Sequence, residues 1–105
     1  MEYILVLSTI DDEKRAKEIS KMVVKSKLAA CVNIVPNITS IYSWQNKIVE
    51  DSEYLMIMKT KSGLFLDLKD FIVKHHPYEV PEVVSLDIDQ GLDKYLNWID
   101  NTTRD

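Results

Sequence analysis

The side chains best suited to chemistry lie together in Lys74-His75-His76-Pro77-Tyr78-Glu79-Val80-Pro81-Glu82. This stretch holds both histidines of the chain, two of its three prolines and two carboxylates. Imidazole suits copper and zinc as a ligand and accepts a proton near neutral pH, while proline fixes the backbone around it. The stretch falls where a helical pattern stops and a strand pattern starts, and the C-terminal end of a helix dipole favours a cation at His75 or His76. Adjacent helical side chains diverge by about 100°, so both rings grip one ion only if the helix unwinds before Pro77. The plainer role for His75, in line with Leu64, Leu68 and Phe71, is a half-buried ring at the edge of the core.

A second constellation combines Lys59, Glu79 and Glu82 with Tyr42, Trp44, Tyr78 and Trp98. A cation, two carboxylates and several aromatic rings near strand ends suit a cleft between subunits that takes a small anion or metabolite. The alternative is that the rings fill a subunit interface and Lys59 pairs with a carboxylate there. Glu79 and Glu82 stand three apart on a proline-held segment, so they need not face one site. Cys31 is the softest donor present, but between Ala30 and Val32 its setting is that of a buried, inert thiol. Enzyme chemistry finds no support, since Gly63 and Gly91 are the only glycines and no nucleophile–base–acid set is visible.

The elements that must position these groups follow from periodicity. Residues 3–7 form a strand apolar on both faces. Thr9 and Asp12 resemble a capping box, and Ala16, Ile19, Met22 and Val23 then recur at helical spacing over about four turns. Residues 29–44 are extended, with a bulge or bend at Pro36-Asn37, and Gln45-Asn46 is a turn leading into a return strand over 47–61. In that strand Tyr54, Met56 and Met58 share one face, and Leu55, Ile57 and Lys59 the other. Leu64, Leu68, Phe71, Ile72 and His75 mark a second helix ended by Pro77. Residues 80–88 form a strand with Pro81 at its start, Asp89-Gln90-Gly91 a turn, and Leu92, Tyr95, Leu96 and Ile99 a short closing helix before a frayed 101–105.

The order β-α-β-β-α-β plus a helix predicts one α+β domain over residues 1–105, a ferredoxin-like sandwich with a four-stranded antiparallel sheet and two helices on one face. Strands apolar on both sides then require a cover for the second face: either the closing helix is larger than it looks, or a further copy of the chain supplies it, the reading favoured here. The net charge of −4, with lysines and arginines interspersed among acids, argues against nucleic acid. No apolar run approaches the roughly 20 residues that span a bilayer, and no signal-like segment opens the chain. With a single cysteine, the expectation is a soluble protein of the reducing cytoplasm.

Five segments carry a family resemblance: Leu28-Ala29-Ala30-Cys31-Val32-Asn33-Ile34-Val35-Pro36, Ser40-Ile41-Tyr42-Ser43-Trp44-Gln45-Asn46-Lys47-Ile48, Lys59-Thr60, His76-Pro77-Tyr78-Glu79-Val80-Pro81-Glu82 and Tyr95-Leu96-Asn97-Trp98-Ile99. In this order they resemble the CutA family of divalent-cation tolerance proteins, with Asn46 where relatives commonly carry glycine. The resemblance implies a ferredoxin-like fold similar to PII signalling proteins, a compact homotrimer and a link to copper and other divalent cations. It implies no catalytic reaction. His75 and His76 match positions that hold copper in some relatives, whose third ligand, a cysteine, is replaced here by Ser8. PII-like trimers place small molecules in clefts between subunits, and the resemblance extends that expectation to Tyr42, Trp44, Lys59, Tyr78, Glu79, Glu82 and Trp98.

Overall fold

The computed structural model describes residues 2–105. The elements are β1 (Tyr3–Ile10), α1 (Glu13–Lys25), β2 (Cys31–Trp44), β3 (Lys47–Lys61), a single 3-10 turn (Ser62–Leu64), α2 (Phe65–His75), β4 (Val84–Ile88) and α3 (Asp93–Thr102). The strands form one antiparallel sheet in the order β2-β3-β1-β4, so each of α1 and α2 crosses over a strand inserted between the two it joins. This is the ferredoxin-like α+β arrangement that the order of elements predicts.

Alternation along β1 decides which face is the core. Ile4, Val6, Ser8 and Ile10 are buried, and Tyr3, Leu5, Leu7 and Thr9 between them are half-buried. Ile4, Val6 and Ile10 meet Met56 and Met58 of β3, and Ala16, Ile19 and Val23 of α1 and Leu68 and Ile72 of α2 close over them. Each of these side chains larger than alanine contributes about 1.5–3 kcal/mol by its removal from water.

Local signals fix the joints. Asp12, in extended geometry, caps α1 by accepting from the Lys14 and Arg15 N–H groups, so the strand runs on through Thr9, which is no part of the cap. The helix ends with Lys27 in the left-handed region at φ 60°, where the Leu28 N–H returns to the Val23 carbonyl. The register of β2 against β3 shifts between Val35 and Ile38, at the predicted bulge, with Asn37 at φ 57°. Gln45 and Asn46 have φ of 51° and 65°, the paired left-handed conformation of a tight two-residue hairpin turn.

Two further sequence expectations are corrected, and the second sheet face takes part of its cover from within the chain. The last strand starts at Val84 rather than at residue 80, because Pro77 and Pro81 cannot donate to a ladder and pairing with β1 begins only at Leu7↔Val84. The end of the chain is pinned: Thr103 is buried, and the Arg104 N–H and Nε donate to the carbonyls of Lys27 and Ser26. The closing helix covers one end of the second sheet face, where Lys61 Nζ lies 3.1 Å from Asp100 Oδ1 and Lys59 Nζ 5.6 Å from the Tyr95 ring centre. Beyond that end Leu5, Leu7, Leu55 and Ile57 stay half-buried and Val84 and Leu86 exposed.

The β2–β3 hairpin outruns the sheet. Its pairs from Ile38↔Glu53 to Trp44↔Lys47 lie past Tyr54, the last β3 residue that β1 pairs, giving a molecule 44 × 25 × 22 Å. Ile41 and Ile48 on this ribbon are 66% and 78% exposed.

Candidate functional site

Where the projecting hairpin leaves the sheet, it forms one wall of a cleft of about 690 Å³. The hairpin contributes Tyr42, Trp44, Asp51 and Glu53; the end of β1 contributes Thr9 and Asp11; the segment after α2 contributes Tyr78, Glu79 and Glu82. The volume falls in the range of small-molecule sites.

His76 builds this cleft. It ends α2 as the C-cap, turned to extended backbone at ψ 138° as the following proline requires, and is 7% exposed. Its Nδ1 accepts from the Tyr78 N–H at 3.1 Å, so the proton sits on Nε2, which donates to the Thr9 carbonyl at 2.8 Å. Both ring nitrogens are thereby engaged, and metal ligation by His76 requires breaking one of these bonds. The imidazole pins the proline-held segment to β1 and meets the Tyr78 ring edge-on at 4.5 Å. Tyr78 in turn donates its hydroxyl to Glu53 Oε2 at 2.6 Å. Burial, then the Glu53 carboxylate, pushes the Tyr78 phenol far above its ordinary range. On the opposite wall the Tyr42 hydroxyl donates to Asp51 Oδ2, and that carboxylate is the main reason the phenol is pushed up to about 12.

The other predicted residues lie elsewhere. His75 is half-buried on α2, with its ring 4.5 Å from that of Phe71, and it makes no hydrogen bond among the described residues. Ser8 is fully buried on the core face of β1 and its hydroxyl has no hydrogen-bond partner among the described residues. Cys31 is half-buried, its Sγ 3.9 Å from Asn33 Oδ1. Lys59, six residues from Glu53 along β3 and so about 20 Å away, sits with Tyr95, which stacks on Trp98 at 5.4 Å. Within one chain the predicted constellation thus divides in two: Tyr42, Trp44, Tyr78, Glu79 and Glu82 share the cleft, and Lys59 and Trp98 do not.

Asp11, Asp51 and Glu53 were not expected in the site. For two of them the signal is present in the sequence. A two-residue turn at 45–46 sets Trp44 opposite Lys47, hence Ser40 opposite Asp51, which makes Asp51 the diagonal neighbour of Tyr42 and puts Glu53 on the same face. With five carboxylates and no basic side chain in its lining, the cleft of a single chain is set against a small anion.

Residues 4–102 match the profile of the CutA1 divalent ion tolerance protein family. This chain belongs to that family. It is 48% identical over 99 residues to the divalent-cation tolerance protein CutA of Thermus thermophilus, covering 94% of this chain and 96% of that one. It is 53% identical over 95 residues to mouse protein CutA, covering 90% of this chain but 54% of the mouse protein. The chain spans about half the length of its mouse, human and Arabidopsis relatives. Its fold matches the CutA1 crystal structure from Oryza sativa with a TM-score of 0.96 at 41% identity, covering 99% of this chain and 95% of that one. The family is described by divalent ion tolerance and not by a reaction.

Proposed function

We propose that the chain acts as a homotrimer in divalent-cation tolerance, taking up copper or another divalent cation weakly to moderately in the cytoplasm. Membership of a family described by divalent ion tolerance, over nearly the whole chain, carries this reading. The side chain that fits it is His75. Its imidazole is unengaged among the described residues and stands in the last turn of α2, where the helix dipole favours a cation. A single imidazole at a surface is a weak site, whereas His76 is committed to the backbone and Ser8 is out of reach in the core. Copper(II) titrated into metal-stripped protein tests this. Uptake lost in His75→Ala and retained in Ser8→Ala supports the reading, and uptake unchanged in His75→Ala overturns it.

The trimer reading rests on the uncovered half of the second sheet face, together with free edges at both β2 and β4. Joining unlike edges head to tail closes a ring and leaves no ladder exposed. A second reading, a PII-like trimer that senses a small molecule, is favoured by the cleft itself, which is large, aromatic-walled and held open by the His76 and Tyr78 hydrogen bonds.

A further inference from the structure

Each helix has one flank that the described residues leave uncovered. On α1 the core positions Ala16, Ile19 and Val23 are each followed by a residue turned about 100° away from them, Lys17, Ser20 and Val24. These line a groove of about 440 Å³ together with Lys21, Lys25 and, from β2, Val32 and Ile34. That flank of α1 therefore faces β2, the strand the helix leads into. On α2 the core-packed Phe65, Leu68 and Ile72 are followed in the same way by Leu66, Lys69 and Val73. Both crossovers have the same hand, so this flank faces β4, the strand α2 leads into. Leu66 is 65% and Val73 52% exposed on it, and Val24 is 39% exposed on the flank of α1. The two unlike edges of the sheet thus carry two unlike, unfilled helix flanks.

Joining β4 of a second copy to β2 sets these flanks face to face. Two helices over four strands take up about 10 Å of sheet each by the strand spacing. The second copy's α2 then lies beside α1 at the roughly 8–10 Å of packed helices. α1 follows β1 and α2 follows β3, and those strands are antiparallel, so the two helices run in opposite directions. One antiparallel register pairs the groups on both. Val24 meets the second copy's Leu66, the aliphatic stem of Lys17 covers its Val73, and Lys21 and Lys25 reach its Asp70 and Asp67. Charge favours the same occupant. Residues 13–27 carry six basic side chains against two acidic in a chain of net charge −4, so another copy is an acidic partner for α1. Lys21 and Lys25 have no ion pair among the described residues, and Asp70 has only its exposed neighbour Lys69 at 3.5 Å.

From this geometry we infer that the α1–β2 groove seats α2 of a second copy, with Val24 on Leu66 at its apolar centre and Lys21–Asp70 and Lys25–Asp67 pairs on its rim. This contact presupposes the head-to-tail ring proposed above, and it adds a pair of helices to the strand edges and sheet faces that the ring joins. It also brings the second copy's Lys69 opposite Ser20, whose buried hydroxyl has no partner among the described residues.

A designed disulfide tests the contact. Val24 and Leu66 of one chain face opposite edges of the sheet, so cysteines at both positions can join only between copies. In a Cys31→Ser background, Val24→Cys with Leu66→Cys gives, on oxidation, a covalent ladder that ends at three chains, and neither single variant gives any. A second measurement uses charge, in urea concentrations where trimer and single chains coexist. Lys21→Glu, on the exposed side of α1, weakens the trimer about tenfold, because the ring repeats a surface ion pair three times. Asp70→Lys added to it restores the loss. A wild-type trimer whose double-cysteine form stays as single chains, or whose Lys21→Glu loss Asp70→Lys does not recover, overturns the helix contact and leaves the ring standing. A covalent ladder that ends at two chains or runs past three overturns the closed ring, and wild-type protein that is a single chain in native mass spectrometry overturns both.

Discussion

A histidine pair before a proline reads as a metal motif, yet at the level of single residues His76 is a structural strut and His75 the free ring. Replacing His76 with alanine leaves the Thr9 carbonyl and the Tyr78 N–H without their partners. We expect His76→Ala to lower unfolding free energy by about 1–3 kcal/mol in urea titrations, against less than about 0.5 kcal/mol for His75→Ala. The two phenols give a pH signature. Both titrate higher in the folded chain than the ordinary value of 10.0. The unfolded state therefore loses these protons first, and stability falls as pH rises above about 10. For Tyr42 this window runs from about 10 to about 12. Thermal melts from pH 9 upward should show an alkaline decline that is shallower in Tyr42→Phe and Tyr78→Phe. A decline of equal slope in wild type and both variants contradicts the assignment. The Ser8 hydroxyl yields a prediction of opposite sign: Ser8→Ala stabilises the protein or leaves it unchanged, because none of the described residues bonds to that oxygen.

At the scale of elements, what was legible in the sequence followed from short-range patterns. The Met56/Met58 alternation, the Pro36-Asn37 irregularity and the Gln45-Asn46 turn all depend on neighbours within a few residues, and each stands where the pattern puts it. The misread elements were decided by distant partners. Val80 and Val83 suit a strand, but residues 80–83 reach no strand partner, and Arg104 is held by the carbonyls of Ser26 and Lys27, far earlier in the chain. The cleft was half legible for the same reason. Tyr78, Glu79 and Glu82 announce themselves in one segment, whereas Asp51 and Glu53 join them only through hairpin register, and Lys59 parts from them along the length of β3. Lys27 offers a local test of the α1 terminus. A lysine at φ 60° is strained where glycine is not, so Lys27→Gly should raise stability by about 0.5–1 kcal/mol in denaturant titrations. A loss of stability would mean that the lysine side chain, and not the backbone bonds of this turn, holds it.

For the whole molecule, the unresolved demand is cover. One helix caps one end of the second sheet face, and the rest presents Leu5, Leu7, Ile57, Val84 and Leu86 with two open edges and a two-stranded ribbon beyond. Such a ribbon is marginal in water by itself, and contiguous apolar surface of this kind marks an interface. Assembly should therefore be coupled to folding, and the thermal midpoint should rise with protein concentration. Native mass spectrometry of the metal-stripped protein at micromolar concentration tests this most directly. The expected result is a single species of three chains with no folded monomer beside it. A compact, stable monomer under the same conditions would contradict it, since the second face would then need no partner.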